Sequence, residues 1–275
     1  MKLDNFSNTS QSETIAILQI TDTHLFEGDD GCLLSVNTAD SLHAVVGNLT
    51  DEAQTFDLMV ATGDISQDHS EASYQRFADA ITPLALPCYW LPGNHDFQPA
   101  MSIVSPGVQI KAQRHVLLGE HWQMILLDSQ VVGLPHGQLS PEQLRFLEEQ
   151  LTAFPDRHSL ILLHHHPVLV GSAWLDQHTL QSSDELWALL RKHNNVSALL
   201  CGHVHQELDV LVDGVRVLAT PSTCVQFKPN SDDFSLDYRA PGWRSLYLHA
   251  DGLLETHVSR LASSQFVPDF NASGY

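Results

Sequence analysis

Short apolar runs recur along the chain, and each stops abruptly at polar residues. They lie at 15–20, 58–61, 88–91, 123–127, 160–163 and 196–201. Runs of this length bounded by turn-forming residues suit buried strands better than helices. Between them the spacing changes to that of helices. Ser140-Pro141-Glu142-Gln143 supplies an N-cap, a first-turn proline and a capping-box glutamine. Leu144, Leu147 and Leu151 then follow one helical face. Segments 38–53 and 70–81 predict two more helices, and Ser182 or Ser183 caps a fourth that runs towards His193.

After residue 205 the pattern shortens to strands at 208–212, 215–220, 244–249 and 253–259. Asp213-Gly214 and Asp251-Gly252 serve as their hairpin turns. Alternating β and α units followed by a meander predict an α/β chain with α+β character at its end. Its two packed sheets form a ββ sandwich flanked by helices, an αββα layering. Residues 1–14 read as a polar N-terminal extension, 15–262 as a single domain and 263–275 as a loosely ordered C-terminal tail.

Composition narrows the class. The 275 residues are 43% hydrophobic and 17% charged, which predicts a globular chain with a sizeable core. The formal charge of −20 comes from 33 acidic against 13 basic residues, with 17 histidines counted neutral. That excess repels polymeric nucleic acid and anionic membranes, while a small phosphate can still bind where local metal charge outweighs it. No apolar run approaches the ~20 residues that span a bilayer. Residues 1–13 carry Lys2 as their only basic residue and lack a signal peptide's apolar core, so a soluble, cytoplasmic protein is expected. Cys32, Cys88, Cys201 and Cys224 are widely spaced, three of them in apolar runs, and predict buried thiols rather than disulfides or a zinc site.

The chemistry collects where the apolar runs end. They lead into Thr21-Asp22-Thr23-His24, Thr62-Gly63-Asp64, Pro92-Gly93-Asn94-His95-Asp96, His164-His165-His166-Pro167 and Gly202-His203-Val204-His205. If the five strands are neighbours, these groups share one sheet edge, where open α/β sheets build their sites. Burying so many polar groups is costly unless something satisfies them together, as metal ions do. In an extended segment Asp22 and His24 project to one side, as do His203 and His205, giving two pincers. The glycines before Asp64, Asn94 and His203 allow tight turns and close backbone approach. Imidazole, carboxylate and amide ligands suit Fe, Mn, Zn or Co. Alone, each motif has a bland reading: a chance Gly-Asp, an Asx turn at Asn94, a surface patch for the histidine triplet or ordinary strand histidines.

In order and spacing, Asp22-x-His24, Gly63-Asp64, Gly93-Asn94-His95-Asp96, His164 and Gly202-His203-x-His205 resemble the calcineurin-like metallophosphoesterases over nearly the whole chain. The likeness is greatest to the bacterial class III cyclic AMP phosphodiesterases, in Leu18 to Leu25, Trp90 to Met101 and Ala219 to Pro229. This resemblance implies a metal-dependent hydrolase that converts 3′,5′-cyclic AMP to 5′-AMP by in-line attack of a metal-bridging hydroxide, lowering cellular cyclic AMP. It implies one metal on Asp22, His24 and His205, a second on Asn94, His164 and His203, and Asp64 between both. Two divalent ions, Fe(2+) and/or Mn(2+), are expected. His24, Asp64, Asn94, His95 and His205 are the expected substrate contacts, with a small cyclic nucleotide as partner. His95 is the candidate proton donor to the leaving ribose oxygen, and Asp96 is expected to orient its ring; the other reading of His95 is a hydrogen bond to phosphate. His165 and His166 are left as supporting residues. Pro135-His136-Gly137, Trp174 and 220–227 are candidate rim segments, with Trp174 or Phe227 able to stack on a base. The alternatives are a phosphomonoesterase or nucleotide pyrophosphatase with the same metals, or a non-catalytic scaffold of the same fold.

Overall fold

Every apolar run named above forms a strand, and the alternation within each strand decides the layering. The structure, a computed structural model, describes residues 4–6, 14–51, 55–262 and 265–274. The first sheet contains β2 (Ile15–Ile20), β3 (Leu58–Ala61), β4 (Cys88–Trp90), β5 (Ile110–Lys111), β12 (Gly242–Leu248) and β13 (Leu254–Arg260). The second contains β1 (Asp4–Phe6), β6 (His115–Leu118), β7 (Trp122–Leu126), β8 (His158–Leu162), β9 (Val196–Cys201), β10 (Leu208–Val212) and β11 (Val215–Ala219). The strand orders are β13-β12-β2-β3-β4-β5 and β1-β6-β7-β8-β9-β11-β10.

Ile15, Ile17, Leu58 and Val60 of the first sheet pack against Leu160, Leu162, Ala198 and Leu200 of the second. The intervening residues point outward. Leu18, Ile20, Met59 and Ala61 are covered by α1 (Thr38–Asp51), α2 (Glu71–Ala80) and α3 (Gln98–Val104). Ile161, Leu199 and Val217 are covered by α4 (Pro141–Ala153) and by the helix Ser183–Leu190, which follows α5 (Ala173–Asp176) and is labelled α6. The layering is therefore the expected αββα sandwich. Strands β2, β3 and β4 run parallel, as do β7, β8, β9 and β11, so carboxyl ends from both sheets meet at one edge.

Several local expectations change. Ser140 Oγ accepts from Gln143 N at 3.3 Å, but the Gln143 side chain does not close the capping box. Its Oε1 instead accepts from Asp128 N and from Arg114, joining α4 to the end of β7. At α6 the Ser182 hydroxyl makes no cap; it accepts from Leu139 N at 2.7 Å, and the helix ends at Leu190 rather than near His193. The helix α1 ends at Asp51, and 52–54 of the expected segment lie outside the described residues. Asp4–Phe6, read as part of a polar extension, pairs in parallel with β6 at the sheet edge; 1–3 and 7–13 lie outside the described residues. The tail was expected to be loose. In 265–274, however, Asp269 N donates to Leu34 O at 2.8 Å and the Phe270 ring stacks on Tyr238 at 4.1 Å; 263, 264 and 275 lie outside the described residues.

Leu200 lies wholly buried between the sheets. Leu200→Ala is expected to lower the unfolding free energy by about 2–5 kcal/mol, through lost transfer energy and the cavity left behind. A denaturant titration checks it: the midpoint falls while the slope stays that of the wild type.

Candidate metal centre

The polar residues do not continue their strands. Asp22, His24, Asp64, His203 and His205 all have left-handed backbones, with φ of 55°, 47°, 51°, 69° and 48°. Non-glycine residues adopt this region at a cost, and such strain concentrates at functional sites. The expectation of extended pincers is corrected here. β2 and β9 end at Ile20 and Cys201, and the i, i+2 pairs converge because the chain beyond them coils tightly. Cross-loop bonds hold the coil open at the right width: Asp22 N donates to Gly63 O at 3.0 Å and His24 N to Asp64 O at 2.9 Å. Glycine is required twice at this point. Gly63 has φ of 98°, and a Cβ on Gly93 would run into the Asp64 backbone and carboxylate.

All seven expected ligands are brought together. His205 Nε2 is 3.4 Å from Asp22 Oδ1 and 3.1 Å from His24 Nε2. His164 Nε2 is 3.1 Å from Asn94 Oδ1 and 3.3 Å from Asp64 Oδ2, and its ring is 5.0 Å from that of His203. Asp64 Oδ2 also lies 3.9 Å from His24 Nε2, so it faces both groups. Three of the imidazoles are anchored from behind through Nδ1: His24 to Gln67 Oε1 at 2.7 Å, His164 to Thr62 O at 2.7 Å and His205 to Val225 O at 2.8 Å. A proton on Nδ1 spent on that acceptor turns Nε2 towards the centre, the arrangement metal-bound histidines use.

Two observations show that the set fits metal ions. Asp64 Oδ2 and both ring nitrogens of His203 are buried without a hydrogen-bond partner. The candidate groups Asp22, His24, His205 and Asp22, Asp64, His164 each present donor atoms within 4.8 Å of one another. Such mixed carboxylate and imidazole sets accept divalent transition metals.

The electrostatics agree. Burial presses His24 down to about 3 even though Asp64 pulls the other way, so it is a neutral donor. Burial and the neighbouring imidazoles, His165 first, hold His203 well below the usual histidine value. Burial also acts to lower His164, but Asp64 overcomes it and raises the ring to about 9. For Asp64 burial pushes upward, yet His164, His95 and His24 hold its carboxyl well below the ordinary range. Asp64 is thus stabilised by charge on His164 and by the His95 N–H.

His95 is half-buried on a cleft of about 510 Å³ lined also by Asn94, Leu134, Pro135, Trp174, His203 and Phe234. Its backbone N–H donates to Asp64 Oδ1 at 2.8 Å, and its ring stands edge-on to His24 at 5.1 Å. Asp96 has work other than the expected orientation of that ring. Its Oδ1 accepts from Ile65 N (3.0 Å), Ser66 N (3.1 Å) and the Tyr74 hydroxyl (3.1 Å), and its Oδ2 from Gly93 N (2.8 Å). It ties the Asp64 loop to the Asn94 loop.

The histidine triplet is fully buried rather than a surface patch. The His165 Nδ1 meets Ser129 Oγ at 2.8 Å and its ring lies 4.8 Å from His203, while His166 stacks on His203 at 5.5 Å. The expected rim divides. Pro135 and Trp174 line the cleft, whereas Phe227 is buried behind the centre, stacked on His205 at 4.2 Å. Most of 220–227 also lies behind: Ser222 Oγ donates to Asp22 O at 2.7 Å, and Val225 anchors His205. Gln67 and the carbonyls of Thr62 and Val225 were not anticipated from sequence. A carbonyl leaves no residue-type signal, and Gln67 sits in no distinctive pattern.

A family model described as Calcineurin-like phosphoesterase matches residues 15–207. The chain is 59% identical over 269 residues to a Vibrio vulnificus protein named 3′,5′-cyclic adenosine monophosphate phosphodiesterase CpdA, covering 98% of each. It is 55% identical over 261 residues to the protein of that name from Escherichia coli K12, covering 95% of each. Its fold matches a dimetal phosphatase from Danio rerio with a TM-score of 0.60 at 16% identity, covering 90% of this chain and 98% of that one.

Asp96→Asn keeps the side-chain volume but turns an amide N–H₂ towards donors that now meet a carboxylate. Metal affinity is expected to fall about 10- to 100-fold together with turnover, as for other groups supporting a ligand shell. Metal analysis after dialysis against a chelator series checks this. Wild-type metal content with reduced turnover would return Asp96 to the role of orienting His95.

Proposed function

Because the chain belongs to the calcineurin-like phosphoesterase family, we propose that it hydrolyses 3′,5′-cyclic AMP to 5′-AMP with two divalent cations. The observation that carries the substrate is identity above one half, over nearly the full length of both chains, with proteins named for that reaction. Asp22, His24 and His205 would hold one cation, Asn94, His164 and His203 the other, and Asp64 both. Their nitrogen and oxygen donors accept Fe(2+) or Mn(2+), the ions that the family resemblance implies. When bound, such a pair supplies Lewis-acid stabilisation of phosphoryl charge and a hydroxide nucleophile at neutral pH.

The chain's own groups do the rest. His24, Asp64, Asn94, His95 and His205 border the place of the cyclic phosphate. The cleft is of nucleotide size, with Leu134, Pro135, Trp174 and Phe234 as an apolar side for the base and Asn94, His95 and His203 as the polar side. His95 gives its proton to the ribose 3′-oxygen as the P–O bond breaks. The cytoplasm is the place of action that four free thiols support. Among the described residues, no helix is long and apolar enough to cross a membrane.

His95 holds Asp64 through its main chain, so His95→Ala removes the acid and keeps that contact. Turnover of cyclic AMP is expected to fall about 10²- to 10⁴-fold with metal content unchanged. A nitrophenyl phosphodiester, whose leaving group needs no proton, is expected to lose far less. Equal losses on both substrates would make His95 a phosphate-binding group. A panel of cyclic AMP, cyclic GMP, a 2′,3′-cyclic nucleotide and a phosphomonoester tests the substrate; indifference to cyclic AMP would overturn that assignment.

A further inference from the structure

Arg244 is a cation buried in the core at 2% exposure, on β12. Among the described residues, none of its hydrogen bonds goes to a carboxylate. It donates through Nε to Thr220 Oγ1 (2.9 Å), through Nη1 to Thr256 Oγ1 (3.1 Å) and through Nη2 to the carbonyls of Ala219 (2.8 Å) and Leu208 (3.2 Å). Burial presses it down to about 10, partly opposed by Asp209 and Glu207, so it stays charged at neutral pH. A buried cation without a directly bonded anion is costly.

One bond leads to the metal centre. Thr220 Oγ1 is hydrogen-bonded to Gln19 Oε1. Gln19 Nε2 donates to Thr62 Oγ1 at 2.8 Å and to Cys201 O at 3.1 Å. Thr62 Oγ1 lies 2.7 Å from Thr21 Oγ1, which lies 2.6 Å from Asp22 Oδ2. Thr220, Gln19, Thr62, Thr21 and Asp22 are all fully buried.

The two ends fix the direction of every link. A guanidinium only donates and an ionised carboxylate only accepts. Thr21 must therefore give its one proton to Asp22, so it accepts from Thr62; Thr62 then accepts from the Gln19 amide. The Gln19 carbonyl oxygen accepts from Thr220, which accepts from Arg244. All five hydrogen bonds point the same way, from positive charge to negative charge. Aligned chains in a low-dielectric interior polarise one another, so each bond is stronger than it would be alone.

We propose that Arg244 is a positioning residue for the metal centre, acting on the Asp22 carboxylate through the one-way chain Thr220, Gln19, Thr62 and Thr21. The chain engages Asp22 Oδ2 and, together with the His203 N–H 3.1 Å from each carboxylate oxygen, sets the rotation of the carboxylate, presenting Oδ1 towards His205, 3.4 Å away. It rests on the reading of Asp22 as a metal ligand.

Mn(2+) titration of the metal-stripped full-length protein by calorimetry tests it. Thr62→Val removes the central hydroxyl while leaving the backbone carbonyl that anchors His164, and Arg244→Met removes the source of polarisation. Each is expected to weaken Mn(2+) binding about 10-fold or more, with Thr62→Ser close to wild type. The double variant is expected to bind no more weakly than the worse single variant, because a chain is broken only once. If Arg244→Met does not fold, Thr220→Val cuts the same chain one link later and replaces it in the cycle. Multiplicative losses in the double variant would overturn the chain, as would lower melting temperatures with unchanged Mn(2+) affinity. Failure of the wild type itself to bind Mn(2+) would instead overturn the metal reading of the centre.

Discussion

Asp22 and Asp64 are carboxylates with 0% and 1% exposure, held at the end of a sandwich whose interior is otherwise largely apolar. Taking an anion out of water costs several kcal/mol unless positive charge and hydrogen-bond donors replace the lost hydration. Much of the surrounding structure answers that demand. Asp22 receives the His203 N–H at 3.1 Å and the Thr21 hydroxyl; Asp64 receives the His95 N–H and has the His164 ring 3.3 Å from its other oxygen. The imidazoles in turn need acceptors behind them, which Gln67, Thr62 and Val225 provide. The left-handed backbones follow from the same demand, because an extended chain could not direct its N–H groups and its side chains into one small volume.

Convergence of two sheets makes this packing possible. A single parallel sheet offers one row of strand ends, whereas here β2, β3 and β4 meet β8 and β9 across the sandwich. The Gln19 amide donates to Cys201 O and the His164 ring contacts Thr62 O, so the sheets are bonded to one another at this edge. The apolar layer between them sets their separation at about 10 Å, which side chains from both sides can span. Packing of Leu58, Val60, Leu160 and Leu162 therefore determines the distance between Asp64 and His164.

The αββα order and the gathering of the seven candidate residues at one edge were legible in the sequence because both rest on side-chain pattern: apolar alternation for the strands, and uncommon polar residues at their ends. What was not legible depends on main-chain geometry or on distant partners. The left-handed turns at Asp22 and His203 cannot be seen from residue types that also occupy strands. The backbone contacts of Asp96 were not legible because proximity in sequence to His95 pointed to a side-chain pair, whereas its oxygens accept N–H groups from two loops. Phe227 looked available for a base because nothing local shows that His205 covers it. The strand His115–Leu118 was missed although Gly119, with φ of 55°, turns the chain directly after it, because its own run is only four residues long.

Thr62 brings these levels together. Its carbonyl anchors His164, and its hydroxyl stands in the chain that ends on Asp22. One residue at the end of β3 thus contacts a member of each expected ligand set, immediately before Gly63 and Asp64, which faces both. The bond to His164 survives any side chain at 62, since the carbonyl belongs to the backbone. The link towards Asp22 requires a hydroxyl, because the position must accept from an amide and donate to another hydroxyl at once. Backbone geometry therefore secures one half of the centre and side-chain chemistry the other. The register of β3 against β2 and β4 places this joint where both halves can use it.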